Sequence, residues 1–197
     1  MKTLFFVFMV FSSLLSFSQS AKEMLAEIEG KWELDNNGNV TFTKVIEIPN
    51  TTKEELYTRA LSYFTYNYNS GDDVVQIKDK EQGVIVGKGV YPKVHVGISI
   101  LTTTVHVTHI LRIDIKDNKV RVILTLQQYK ITISGSGAPS HDTYNVADRY
   151  PIAKKDSQKT VMTKAFYKSY KKAMNTFEEI EKSLKEGNTG KETGDNW

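Results

Sequence analysis

The chain has 197 residues, of which 40% are hydrophobic and 25% are charged, as in globular proteins that bury a core. Lys and Arg number 26 against 23 Asp and Glu, a net charge of +3. This near balance provides no case for nucleic acid or an acidic polymer as the partner. Cysteine is absent, which excludes disulfides, thiolate metal ligands and a cysteine nucleophile.

Residues 1–20 have the pattern of a secretory signal peptide. Lys2 supplies the positive end, Leu4–Leu15 is a mainly apolar run, and small residues follow up to Ser20. The alternative is a membrane anchor, but the run is shorter than the roughly 20 residues that span a bilayer. We therefore expect cleavage near Ser18 or Ser20 and a periplasmic or secreted protein without a transmembrane segment.

The next elements are predicted from periodicity and from residues that end helices and strands. Residues 21–31 form a short helix or a linker, and residues 39–48 form a strand that ends at Pro49, which has no amide hydrogen for pairing. A helix is expected over Thr51–Tyr68. Either Thr51 with Glu54 or Thr52 with Glu55 fits a capping box at its start. Tyr63 and Tyr66 are expected on its exposed side.

Hairpins dominate the middle of the chain. Asp73–Asp79 and Val84–Tyr91 form one, and a strict alternation of apolar residues begins a second at Val105. Asp117-Asn118 is its two-residue turn. The alternation changes parity on the return strand, which predicts a one-residue bulge near Gln127-Gln128.

The C-terminal part combines a polar connection with a long helix. Residues 134–152 are expected to form a loop, residues 154–184 carry an amphipathic stripe, and residues 186–197 are expected to be disordered. Consecutive hairpins require an antiparallel sheet, and two helices with one apolar stripe each bury best on one of its faces. The prediction is a single α+β domain over residues 32–185.

Several spaced segments resemble a known family. They are Trp32–Gly38, Val40–Pro49, Lys53–Tyr57, Gly83–Gly89 and Ile113–Arg121. Together they are similar to an uncharacterised exported bacterial domain family with a TBP-like fold, typical of Bacteroidetes. The resemblance covers Trp32 to Ile133 and implies a curved antiparallel sheet backed by helices. It implies no activity and no catalytic residues.

Motifs for metal or phosphate chemistry are weak. His106 and His109 point to opposite faces of a strand, so they cannot share a metal without a bulge, and His95 and His141 are placed in separate loops. Gly83–Gly89 lacks the spacing of a phosphate loop, so its glycines are expected to bend a strand or allow close approach of a neighbouring element. No metal and no cofactor is predicted.

Two surfaces remain as binding candidates. One is the exposed sheet face with His106, Thr108 and Arg112. The other is the 134–152 loop, in which the candidate residues are His141, Asp142, Tyr144 and Arg149. Loops of this length are usually functional or disordered. A catalytic triad in that loop lacks the strand-turn-helix that would hold its serine.

The expected function is a non-enzymatic binding module of the cell envelope, acting on a protein, a glycan or a small molecule. A small envelope hydrolase centred on residues 134–152 is the first alternative, and a lipid or small-molecule carrier is the second. The last helix is rich in lysine, which suggests either an ordinary solvated face or weak contact with a membrane surface.

Overall fold

Seven strands pair into one antiparallel sheet in the structure, a computed structural model that describes residues 20–68 and 74–187. In chain order the strands are β1 (Glu33–Leu34), β2 (Val40–Glu47), β3 (Val75–Asp79), β4 (Val84–Ile98), β5 (Thr102–Lys116), β6 (Lys119–Ser134) and β7 (Ser140–Asn145). The helices are α1 (Ala21–Ile28), α2 (Lys53–Asn67) and α3 (Lys159–Glu186), with a 3-10 turn at Val146–Asp148. The predicted α+β class with an antiparallel sheet is confirmed.

The strand order is β1-β2-β6-β5-β4-β3, and β6 is shared between two neighbours on its outer side. Its first half, residues 119–125, pairs with β2, and its second half, residues 128–133, pairs with β7. The β5–β6 hairpin is therefore the centre of the sheet, and β2 and β7 both pair with its strand β6.

Both long helices lie on the same face of the sheet. Phe64 of α2 lies against Gly87 of β4, and Tyr91 of β4 hydrogen-bonds Thr176 of α3 through the two hydroxyls, 2.6 Å apart. Gly87 and Tyr91 are four residues apart on one strand and therefore point to the same side. Helix α1 packs on α3, where the Tyr167 hydroxyl donates a hydrogen bond to Glu27 at 2.6 Å. The opposite face of the sheet, the open face, is not covered by any of these helices.

The β5–β6 hairpin confirms its sequence prediction in detail. Alternate β5 residues from Val105 to Ile115 are buried, as the alternation requires. Thr108 pairs with Gln128 and the next residue, His109, pairs with Leu126, so Gln127 is the extra residue of a bulge. The bulge lets both halves of β6 keep their apolar side chains towards the helices.

The Asp117-Asn118 turn ties the hairpin to the start of α2. Asn118 has a φ of 64° and its side-chain oxygen accepts a hydrogen bond from the Thr51 amide at 3.2 Å. Its own amide donates to the Thr51 carbonyl at 2.9 Å. Asp117 accepts a hydrogen bond from the Lys53 amide at 2.7 Å.

Replacing Asn118 by valine is expected to lower the free energy of unfolding by about 2 kcal/mol, because a β-branched residue disfavours positive φ and the bond to Thr51 is lost. Urea titration of the variant measures the change. Asn118→Gly is the matched control: it tolerates the backbone angle and loses only the side-chain bond, so it should cost less. Equal stability of the valine variant and the parent would contradict this role of the turn.

Helix α2 is capped by Thr52, the second of the two predicted options. It also buries Tyr63, which was expected to be exposed. The Thr52 hydroxyl accepts the Glu55 amide at 3.2 Å, whereas the Glu55 carboxylate pairs with Arg59 and does not complete the box. Tyr66 is exposed, as predicted. The prediction for Tyr63 is wrong: its ring is buried edge-on against Phe64.

Helix α3 begins at Lys159 and not at residue 154, because the preceding backbone is held in another conformation. The carboxylate of Asp156 accepts the amides of Tyr150 and Gln158 at 3.1 and 2.8 Å. The predicted apolar stripe itself is confirmed, and every member is buried: Met162, Phe166, Tyr170, Ala173, Phe177, Ile180 and Leu184.

The prediction of a loop over residues 134–152 is wrong. Residues 140–145 form β7, which pairs with β6, and Val146–Asp148 forms the 3-10 turn. All six β7 residues are exposed, so no apolar alternation marks the strand in the sequence. Backbone hydrogen bonds to β6 hold it.

Two close approaches explain glycines in β4. A Cβ at Gly87 would lie 2.5 Å from the Phe64 ring, and a Cβ at Gly89 would lie 2.7 Å from both His109 and Tyr68. The expected close approach of a neighbouring element is therefore confirmed for both positions.

Parts of three predictions lie outside the described residues. They are residues 1–19 of the expected signal peptide, Asp73 of the first predicted hairpin, and residues 188–197 of the expected tail. Residues 21–28, for which a helix and a linker were both open, form α1. Within residues 20–68 and 74–187, no helix is long and apolar enough to cross a membrane.

Candidate functional site

The candidates on the open face do not converge. His106 and Arg112 are six residues apart on β5, a distance of about 20 Å along a strand. Arg112 pairs through its Nε with Asp114 at 2.7 Å, and Arg121 pairs with the same carboxylate at 2.6 Å. The prediction that Thr108 is exposed is wrong. Thr108 is buried at the bulge, where its hydroxyl accepts a hydrogen bond from the Gln128 amide at 3.2 Å.

The histidines expected in loops lie on strands. His95 is buried on β4, and His141 is exposed on β7 with its Nδ1 3.0 Å from the Thr132 hydroxyl. His141 and Asp142 are adjacent on a strand and therefore point to opposite sides, so they do not form the His–Asp half of a triad. Among residues 20–68 and 74–187, no group of three or more His, Asp or Glu is placed to hold a metal ion.

The remaining candidates meet in one surface cleft of about 420 Å³ between the β6–β7 edge and the segment before α3. We call it the Arg149 cleft. Its walls are Ile131, Ile133, Asp142, Tyr144, Asp148, Arg149, Lys155, Asp156, Ser157 and Gln158. Three of the predicted site residues, Asp142, Tyr144 and Arg149, are therefore brought together.

Arg149 is fixed in one orientation by neighbours on three sides. Its Nε and Nη2 donate to the two oxygens of Asp156 at 2.8 and 3.1 Å, and Nη2 also donates to Gln158 at 3.1 Å. Its guanidinium carbon lies 4.4 Å from the centre of the Tyr144 ring, a cation–π contact. A bidentate Arg–carboxylate pair of this kind is strong and directional.

The Arg149–Asp156 pair is almost withdrawn from solvent. The side chains are 11% and 3% exposed, respectively. Burial alone would raise the pKa of Asp156, but the hydrogen bonds from Arg149, Gln158 and Tyr150 outweigh it and hold the pKa below its ordinary value. Asp156 is therefore ionised at neutral pH and neutralises the charge of Arg149.

Three other charged groups of the cleft make no ion pair with any residue in the described ranges. They are Asp142, Lys155 and Asp148, whose carboxylate accepts only the Asn145 side-chain amide at 2.9 Å. Carboxylates and an ammonium group thus line the cleft beside the apolar side chains of Ile131 and Ile133. This combination suits a ligand with both charges and an apolar group.

Sequence reasoning missed Asp156 and Gln158, which hold Arg149, and it placed Lys155 inside the last helix. An Asp shortly before a helix start often binds backbone amides, so Asp156, three residues before Lys159, carried a signal for a helix boundary. Nothing in the sequence indicated that its partner would be Arg149, because the chain between them reverses direction around Pro151.

The fold and the central strands match a known domain family. The model of a domain of unknown function with a TBP-like fold, DUF4468, matches residues 42–130, from β2 into β6. Over these residues the chain is similar to DUF4468. The resemblance inferred from the sequence is thereby confirmed, and every residue that lines the Arg149 cleft lies beyond the matched residues.

Two crystal structures have similar folds. A TBP-like protein from Parabacteroides distasonis is 15% identical, with a TM-score of 0.57 over 77% of this chain and 96% of that one. A DUF4468 family protein from Bacteroides ovatus is 17% identical, with a TM-score of 0.56 over 83% of this chain and 94% of that one. No curated protein matches the chain. At these identities the similarity establishes the fold alone.

Proposed function

We propose that the protein is an exported, non-enzymatic binding module of the cell envelope that holds a short peptide in the Arg149 cleft. The observation that carries the proposal is the set of unpaired charges of both signs, Asp142, Asp148 and Lys155, around an apolar floor. Charged groups that are left without a partner in a concave site are available to orient a ligand.

The charges match the two ends of a peptide. Asp142 and Asp148 offer carboxylates to an ammonium group, and Lys155 offers an ammonium to a carboxylate. Ile133 and the ring of Tyr144 offer apolar surface to a side chain between them. Arg149 supports this wall by holding the Tyr144 ring from one side.

Strand β7 supplies a second recognition element. It pairs with β6 on one side only, and no other strand of the described chain pairs with its outer edge. Alternate residues of such an edge present unpaired N–H and C=O groups, to which an extended peptide can add as a further strand. All six β7 side chains are exposed, so no other part of the described chain covers this strand.

The signal-peptide pattern of residues 1–20 supports export, and an exported module would meet the peptides of the cell envelope. The protein should be recovered from the periplasm or the medium of its producing cell, with an intact mass that corresponds to a chain starting after Ser18 or Ser20. A full-length mass in the cytoplasmic fraction would contradict export.

The binding proposal is tested with the tripeptide Ala-Leu-Ala, used with free termini and with both termini capped. Isothermal titration should show binding of the free form and at least several-fold weaker binding of the capped form, which lacks both charges. The double variant Asp142→Asn/Asp148→Asn should weaken the free peptide to a similar extent.

Glu178→Gln is the matched control, because Glu178 is an exposed carboxylate on α3 outside the cleft. Absence of binding by the free tripeptide, or equal losses in the control and the cleft variant, would overturn the proposal. Amide NMR shifts confined to β6, β7 and residues 148–158 would support it independently of the affinity.

A further inference from the structure

The β4–β5 hairpin ends in an apolar tip that projects from the sheet. The exposed fraction is 82% for Ile98 and 99% for Ile100, and Val96 and Leu101 are exposed as well. We call residues 96–101 the distal tip. Full exposure of two isoleucines at one hairpin end is unusual on a protein surface, where such side chains are normally scattered.

The distal tip is a built feature. The amide and the hydroxyl of Ser99 both donate to the Leu101 carbonyl at 3.1 Å, which closes the turn. The Leu101 side chain packs on Gly135 of the neighbouring β6–β7 connection. That connection, residues 135–139, contains no charged residue, so the two adjacent loops form one uncharged end of the molecule.

Positive charges lie behind this end. Lys93 is on β4, five residues before Ile98, and the chain contains no acidic residue from Gln82 to Ile113. Helix α3 crosses β4 at the hydrogen bond between Thr176 and Tyr91, and its residues Lys164 and Lys168 lie before that contact in the chain. Burial and, after it, the charges of Lys168 and Lys164 lower the pKa of His95, on the tip side of Tyr91. Neither lysine forms an ion pair with a residue of the described ranges.

We propose that the distal tip inserts into the interface of a bilayer with anionic headgroups, with Lys93, Lys164 and Lys168 at the level of the phosphates. Apolar side chains at a tip and cations behind them are the two terms that hold peripheral proteins on membranes. This inference goes beyond peptide binding and does not depend on it.

The size of the tip favours a lipid surface over a protein partner. A stable protein interface takes roughly 800 Å² from each partner, more than the four side chains of the tip expose. Insertion into a headgroup layer needs only a few apolar side chains, because the lipid closes around them. The excess of cations around the tip also complements an anionic leaflet.

The test is co-sedimentation of the protein, in the form its producing cell exports, with vesicles of phosphatidylethanolamine and phosphatidylglycerol at 3:1. Intact mass identifies the N-terminus, and parent and variants are compared in the same form, so any retained N-terminal segment contributes equally. Ile98→Ser/Ile100→Ser is expected to weaken binding about tenfold or more. Ile77→Ser changes an exposed isoleucine of β3 that pairs with Val86, at the end of β4 opposite the tip, and should leave binding unchanged.

Charge variants separate the electrostatic contribution to membrane binding from the apolar one. Lys164→Gln/Lys168→Gln should weaken binding several-fold, whereas Lys172→Gln should not. In high salt or with phosphatidylcholine vesicles, the affinity of the parent should fall, and so should the difference between the parent and the double lysine variant. Binding by the double isoleucine variant equal to that of the parent would overturn the proposal. So would sedimentation-velocity evidence that the tip mutations abolish a dimer while vesicles bind neither form.

Discussion

Replacing Arg149 by methionine is expected to lower the free energy of unfolding by about 3–5 kcal/mol, because the substitution leaves a buried charge without its partner. The Asp156 side chain is 3% exposed and would lose both hydrogen bonds from the guanidinium group. The Tyr144 ring would also lose the cation that lies 4.4 Å from its centre. Urea titration at pH 7, where Asp156 is ionised, measures the loss.

Arg112→Met is the matched control for this prediction. Arg112 also pairs with an aspartate, but it is half exposed, and exposed pairs contribute at most about 1 kcal/mol. A loss at Arg149 no larger than the loss at Arg112 would contradict the assigned role. The amides of Tyr150 and Gln158 bond different oxygens of Asp156, so Asp156→Asn keeps an acceptor for only one of them. It is still expected to be less damaging than Arg149→Met, since it leaves no buried negative charge.

The helices and strands that bury one face against the core were predictable from the sequence. The β5–β6 hairpin and α3 bury alternate or every third and fourth residue against the same core, so their apolar periodicity records the fold directly. Even the bulge at Gln127 is visible, because one extra residue shifts the parity of the apolar positions.

The elements held by backbone pairing or by single polar contacts were not predictable. Strand β7 is exposed along its whole length, so no periodicity distinguishes it from a loop. Tyr63 is buried because its ring packs on Phe64 and its hydroxyl reaches Glu179 of α3 at 3.5 Å, a contact that only the tertiary arrangement creates. Asp156 and Arg149 meet through a local turn between residues 149 and 156, which no periodicity in the sequence marks.

The candidate site follows this division. The family match ends at residue 130, whereas Asp142, Arg149 and Asp156 lie after it. The matched residues therefore carry β6 up to residue 130, and the residues after it supply the whole lining of the cleft, from Ile131 at the end of β6 to Gln158 before α3. A shared fold at 15–17% identity does not carry these side chains with it.

Between pH 7 and pH 4 the protein is expected to lose up to about 3 kcal/mol of stability through His109 alone. His109 is buried, its ring stacks on Tyr91 with 4.0 Å between centroids, and its Nε2 lies 3.2 Å from the Tyr68 hydroxyl. Its Nδ1 has no hydrogen-bond partner in the described structure. Burial lowers the pKa of His109 from 6.5 to about 4.

The sign follows from proton binding. Between pH 6.5 and 4 the unfolded chain binds a proton at His109 that the folded protein does not, so unfolding becomes easier as the pH falls. The contribution is fully present above pH 6.5 and is lost on acidification through that window. The lowered pKa of His95, which burial also causes, acts in the same direction.

Urea titrations of the parent and of His109→Gln at several pH values isolate this contribution as the difference between two curves. The variant should show a smaller pH dependence of stability than the parent, and equal dependence in the two would contradict the role of His109. NMR titration of the imidazole in the parent gives a second readout that survives if the variant does not fold. An imidazole pKa near 6.5 in the folded protein would show that protonation does not require opening of the Tyr68–His109–Tyr91 contact, and the expected acid sensitivity would then have to come from other groups.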